Sequence, residues 1–156
     1  MNSKIIALDA LASITTSLKS EGKKIAHCHG CFDLMHLGHI KHFEAAKNTA
    51  DVLIVTLTPD RFVNKGPGRP VFNEMHRMEA IAALQCVDYV ALNKWETAVE
   101  TIKIVKPDFY VKGQDYKNAK DDITGNIGFE EEAVKAVGGK FYITEEVQFS
   151  SSKLIN

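Results

Sequence analysis

Residues 51–58, Asp-Val-Leu-Ile-Val-Thr-Leu-Thr, form a near-continuous apolar run without the alternation of a strand that wets one face. Runs of this kind belong to parallel strands covered by helices on both sides. The flanking sequence agrees with that reading. Strand-like segments at 24–28, 87–92, 108–113 and 140–144 are separated by helical ones at 36–50, 74–85, 95–106 and 129–137. Leu8, Leu11, Ile14 and Leu18 recur at helical spacing and stop at Gly22, which adds an opening helix. Strands alternating with helices imply βαβ units with right-handed crossovers. The expected fold is therefore α/β, a three-layer sandwich around a five-stranded parallel sheet.

Between these elements lie two polar stretches. Residues 59–73 hold three of the four prolines and two glycines, a long loop of the kind that is usually functional or mobile; Asn73 then caps the next helix. Residues 114–126 are the second stretch. The last segment, Ser-Ser-Ser-Lys-Leu-Ile-Asn, opens like a capped helix and stops after one turn, so one domain over 1–156 is expected, with further chain beyond it left open. A formal net charge of -1 gives no broad positive field for nucleic acid or an anionic membrane. Any anion must be held by a local site. No apolar run is long enough to span a bilayer, and the start lacks a secretory signal's core. A cytoplasmic protein with reduced thiols is expected, because three cysteines make no disulfide framework.

Five of the six histidines fall within 27–42, beside Cys28 and Cys31, which raises the question of a metal site. Structural zinc wants four converging ligands, and the second cysteine pair is absent here. Side chains alternate along a strand, so Cys28 faces away from His27 and His29. We therefore expect no metal-ligand set, with Cys28, Cys31 and Cys86 as small buried hydrophobes, His27 and His76 as structural residues and His42 on an exposed helix surface. The stretch reads better as a strand, a glycine turn and a helix start. In an open parallel sheet, ligands bind beyond the carboxyl ends of the strands, where a helix N-terminus offers unpaired N–H groups and partial positive charge. His36 just before that helix and His39 within it, with Gly38 giving backbone room, make a phosphate cradle with two imidazole donors. The same helix would lay Leu37, Ile40, Phe43 and Ala46 on one face.

Gly-Cys-Phe-Asp-Leu-Met-His-Leu-Gly-His, with its continuation through Lys47, resembles the signature of the His-x-Gly-His nucleotidyltransferase superfamily, the cytidylyltransferase-like enzymes. The similarity extends through 68–90 and 106–116 to the final serines, and is nearest to the heptose 1-phosphate adenylyltransferase group, found free or fused to a sugar kinase. The resemblance implies a Rossmann-like sandwich. It also implies attack by a substrate phosphate on the α-phosphate of a nucleoside triphosphate, with pyrophosphate leaving and no covalent enzyme intermediate. His36 and His39 would steady the charged transition state. Gly30, Cys31 and Phe32 would give backbone contacts to the nucleotide, and Asp33 matches the family's carboxylate. Lys65 in the 59–73 loop would neutralise phosphate charge, Arg77 matches an arginine used on the triphosphate, and Lys112, Gly113, Asp115 and Tyr116 would line the base pocket. Ser150, Ser151 and Ser152 would hold the β- and γ-phosphates while also capping a helix. Magnesium is the expected cofactor, because an ion bridging triphosphate oxygens helps pyrophosphate leave. The expected partners are a nucleoside triphosphate and a small phosphorylated substrate, without nucleic acid or membrane, in a homodimer by analogy.

Three departures bear on specificity: His29 where the heptose group has asparagine, Gln114 where it commonly has glycine, and the absence of the arginine that many glycerol-phosphate cytidylyltransferases place before the serines, which favours the sugar-phosphate side. Competing readings are a cytidylyltransferase for an alditol or amino-alcohol phosphate, a nucleotide-binding module without turnover, and a zinc module. Class I aminoacyl-tRNA synthetases share a similar histidine motif, but this chain is too short and too neutral for one.

Overall fold

The computed structural model describes residues 2–64, 66–113 and 126–144. Five strands, β1 (Ile25–Gly30), β2 (Val52–Leu57), β3 (Tyr89–Leu92), β4 (Phe109–Lys112) and β5 (Lys140–Ile143), form one sheet in the order β3-β2-β1-β4-β5. Every neighbouring pair is parallel. The helices are α1 (Leu11–Ser20), α2 (Leu37–Asn48), α3 (Glu74–Ala82), α4 (Val99–Val105) and α5 (Asn126–Ala136), with a 3-10 turn at Leu8–Ala10 before α1. Gly22, at φ 79°, supplies the left-handed turn after α1. Among the described residues, no helix is long and apolar enough to cross a membrane.

β2 is buried over its whole length, as its apolar run predicts. Leu53, Val55 and Leu57 pack with Phe43 and Ala46 of α2 and Met78 and Ile81 of α3. On the other face, Val52 and Ile54 meet Leu8, Leu11 and Val105, and α4 and α5 close that layer through Ala98, Ile102, Ala133 and Val134. Each buried aliphatic side chain contributes about 1.5–3 kcal/mol, and a one-residue slip would exchange the two sets, so two-sided cover fixes the register.

Three local expectations change in the folded chain. Leu37, the first residue of α2, is 59 % exposed, while Phe43 and Ala46 further along the helix lie fully buried. The helix expected over 95–106 begins only at Val99. There the Asn93 amide donates to the carbonyls of Trp95 (2.9 Å) and Thr97 (2.8 Å) and accepts from the Thr101 hydroxyl, a side-chain scaffold that competes with helix over 94–98. β1 runs two residues past the expected 24–28 segment, since His29 and Gly30 pair with Thr56 and Leu57. That extension brings His29 into the sheet. Because β2 and β3 lie on one side of β1 and β4 and β5 on the other, the junction of β1 with β4 is the switch point, where ligands bind in such sheets.

Candidate active site

α2 starts at the carboxyl end of β1 with a reciprocal histidine cap. The Gly38 N–H donates to His36 Nδ1 at 3.0 Å, and the His36 N–H donates to His39 Nδ1 at 3.2 Å. An Nδ1 that accepts a hydrogen bond carries no proton, so each neutral ring bears its proton on Nε2. The two rings lie 4.2 Å apart, centroid to centroid, at a helix end whose first N–H groups already favour anions. Phe32 packs edge-on against His39 and Phe43, fixing the ring from below. It also lies across Gly30, where a Cβ would sit 3.0 Å from the Phe32 ring, so a larger residue there would press on that ring. Phe32 and Leu34 hold φ values of 54° and 51°, the kind of backbone strain that persists where surrounding contacts enforce it.

Those contacts come from Asp33 and Arg77, both expected at the nucleotide. The Asp33 carboxylate is buried and accepts from Arg69 Nε (3.0 Å) and from the N–H groups of Val71 (2.6 Å) and Phe72 (3.0 Å). Burial alone would raise its pKa, but these backbone donors and the Arg69 charge hold it below the ordinary carboxylate value. Arg77 is 2 % exposed, not the surface charge a helix position suggests. Its guanidinium donates to the carbonyls of Cys31 (2.9 Å), Thr58 (2.8 Å) and Phe72 (3.1 Å) and pairs with Asp60 at 2.6 Å. In this structure both side chains are thus engaged with protein groups. Together they pin the two feet of the 59–73 loop, near Asp60 and near Phe72, to the β1–α2 turn. Arg69, which sequence reasoning missed, lies in the same cluster, its Nη2 buried without a hydrogen-bond partner among the described residues.

On the opposite face of the sheet, a second histidine pair flanks one hydroxyl. Thr56 Oγ1 lies 2.8 Å from His27 Nε2 and 2.8 Å from His29 Nδ1. Burial, then the nearby Lys112 charge, lowers the His27 pKa to about 3. Burial, Lys112 and His27 in turn put His29 well below the ordinary value. Both rings stay neutral when folded, whereas the unfolded chain takes up protons near pH 6.5. Stability is therefore full above that pH and falls on acidification, by up to about 1.4 kcal/mol per pH unit for each such group. Denaturation midpoints measured between pH 6.5 and 5 should show this slope, and His27→Gln should make it shallower; equal slopes would refute the assignment.

Lys112 ends β4 beside this pair, its Nζ 3.3 Å from the His29 carbonyl, and Gly113 follows the strand. Lys65, Asp115, Tyr116, Ser150, Ser151 and Ser152 lie outside the described residues. His42 is buried rather than exposed, its Nδ1 2.9 Å from Thr144 Oγ1, so it ties α2 to the end of β5. Of the cysteines, Cys28 is buried as expected, whereas Cys31 and Cys86 are only half-buried. Among the described residues, no three His, Cys, Asp or Glu side chains are grouped to hold a metal ion.

The cytidylyltransferase-like family model matches residues 27–156. The chain belongs to the cytidylyltransferase-like family. It is a nucleotidyltransferase-type domain, and its curated relatives include the bifunctional protein HldE of Methylobacillus flagellatus, 39 % identical over 97 % of this chain. HldE of Aliarcobacter butzleri is 41 % identical over 89 %. The chain spans about 30 % of the length of these relatives. Among solved structures, a lipopolysaccharide core biosynthesis protein from Thermoplasma volcanium matches with a TM-score of 0.64 and 26 % identity, covering 83 % of this chain and all of that one. Pantoate-beta-alanine ligase from Francisella tularensis also matches with a TM-score of 0.64, over 95 % of this chain and 68 % of its own, at 20 % identity, a likeness of fold alone.

Proposed function

We propose that this domain transfers a nucleoside monophosphate, with ATP the favoured donor, to a heptose-like sugar 1-phosphate and releases pyrophosphate, in the making of nucleotide-activated sugars for surface polysaccharide. The observation that carries this reading is the reciprocal histidine cap at the switch point. Its support from kinship is the set of HldE relatives and the Thermoplasma structure. An acceptor phosphate oxygen would form a bond to the α-phosphorus as the bond to the bridging oxygen breaks, and the electron pair leaves with pyrophosphate. His36 and His39, donating from Nε2, and the first N–H groups of α2 would meet the charge that builds on the α-phosphate oxygens. Lys65, on the loop that Asp33 and Arg77 pin, would neutralise the triphosphate. Gly30, Cys31 and Phe32 would supply backbone contacts, Lys112, Gly113, Asp115 and Tyr116 the base pocket, and Ser150, Ser151 and Ser152 the β- and γ-phosphate contacts.

The described residues build no cage for magnesium, the Asp33 carboxylate being taken up by its N–H donors. We infer that the ion would arrive chelated by the triphosphate and need few protein ligands. When bound it would supply charge neutralisation to the leaving pyrophosphate. A homodimer in the cytoplasm completes the reading.

The family's cytidylyltransferase membership favours one second reading, CTP-dependent transfer to a small phosphate. A pyrophosphate-release screen of ATP, CTP, GTP and UTP against heptose 1-phosphates, other sugar 1-phosphates and glycerol 3-phosphate separates the two. Release with ATP and a heptose 1-phosphate is expected. Release only with CTP and glycerol 3-phosphate would replace the first reading by the second, and nucleotide binding without release would leave a module that has lost turnover.

A further inference from the structure

His27 and His29 both face Thr56, and a threonine hydroxyl has one proton to give. His27 Nδ1 is buried without a hydrogen-bond partner among the described residues. Buried N–H groups left without an acceptor are rarer than under-used acceptors, so that nitrogen carries a lone pair and the His27 proton resides on Nε2. The direction of the chain is then set: His27 Nε2–H donates to Thr56 Oγ1, and the Thr56 O–H donates to His29 Nδ1. The His29 proton is left on Nε2.

The two nitrogens of an imidazole face nearly opposite ways. With Nδ1 on Thr56 of β2, His29 Nε2 faces away from β2, the strand that flanks β1 on the side opposite β4. On the β4 side the sheet opens, since the β1–β4 ladder consists of Ala26 with Phe109 and His27 with Tyr110 and stops three residues before β1 does. Past that rung the strands are joined by the Lys112 ammonium on the His29 carbonyl. His29 itself is half-buried, beyond the last rung of this ladder.

We propose that the Nε2–H of His29 donates to a hydroxyl oxygen of the acceptor sugar, which makes His29 a specificity-determining residue and Thr56 and His27 its positioning residues. The charge around it fits a hydroxyl better than a phosphate. Lys112 stands 4.0 Å from the Glu130 carboxylate, which also accepts from Tyr110 at 3.2 Å. Among the described residues this corner holds one cation balanced by one anion, whereas the anion-favouring helix start lies on the other sheet face. Neutral histidines add directed hydrogen bonds without charge.

The proposal rests on the sugar 1-phosphate reading, and steady-state kinetics with ATP and a heptose 1-phosphate judge the two separately. His29→Leu should raise the KM for the sugar phosphate by on the order of tenfold, the worth of one neutral hydrogen bond, and leave the KM for ATP unmoved. His29→Gln, which keeps a donor near the Nε2 position, should restore most of the loss, and Thr56→Val should fall between. Nitrogen-15 NMR of the imidazoles should find His29 in the Nε2–H form in the wild type and a mixture in Thr56→Val. An Nδ1–H form in the wild type, an unchanged sugar KM in His29→Leu, or a rise in the KM for ATP instead would overturn the proposal while the functional reading stands. A wild type that turns over no sugar 1-phosphate would overturn both.

Discussion

Alanine at His36 or at His39 is expected to slow pyrophosphate release by about 10²- to 10³-fold, the usual loss when a donor aimed at developing transition-state charge is removed. Binding of the triphosphate should change far less, because the N–H groups of the α2 start remain. Each substitution also removes half of the cap, since His36 Nδ1 serves Gly38 and His39 Nδ1 serves His36. Loss of a cap costs about 1 kcal/mol, or roughly 2–4 °C in Tm for a domain of this size. His36→Asn separates the two effects, because asparagine is itself a strong N-cap: it should keep Tm near the wild type and still lose the rate. The double alanine variant should fall little below the worse single one, as groups acting on one transition state are not additive. Turnover within tenfold of wild type in both single variants would refute a catalytic pair, as would a rate loss that tracks Tm alone.

Arg77→Ala should be the most destabilising single change among the residues discussed. It removes donors from three backbone carbonyls and a partner from Asp60, in a side chain that is almost wholly buried. Breaking a buried, hydrogen-bonded charge pair costs about 3–5 kcal/mol. The half-exposed Asp60 can rehydrate, which places the expected loss near the lower bound, roughly 10 °C in Tm. Arg77→Lys should recover only part of this, because a single ammonium cannot reach acceptors on the β1–α2 turn, the end of β2 and the 59–73 loop together. Thermal unfolding of the two variants is the measurement. Stability of Arg77→Ala within about 1 kcal/mol of wild type, the size of an ordinary surface change, would show that the guanidinium is not what joins these segments.

The residues that resisted reading are the buried polar ones. Asp33 and Arg77 look like nucleotide-site residues in the sequence and His42 like surface, and in the folded chain all three fasten distant segments. Arg77 meets Cys31 across 46 positions and His42 meets Thr144 across 102. No local pattern encodes such pairs, since burial of a polar group depends on whether a distant segment arrives to satisfy it. The His29 to Thr56 contact is of the same kind: alternation puts His27 and His29 on one face of a strand, but the hydroxyl between them belongs to the neighbouring strand and its register.

What the sequence determined alone is therefore whatever is carried by neighbours in the chain. The apolar run at 51–58 demanded cover on both faces, the alternation of periods demanded a parallel α/β sheet, and His36, Gly38 and His39 compose a helix start within four residues. Tertiary structure decided which polar side chains hold the site together and which face it. That choice depends on the strand order, which sets β1 beside β4, and on the point where their ladder stops, both outcomes of how the whole chain packs.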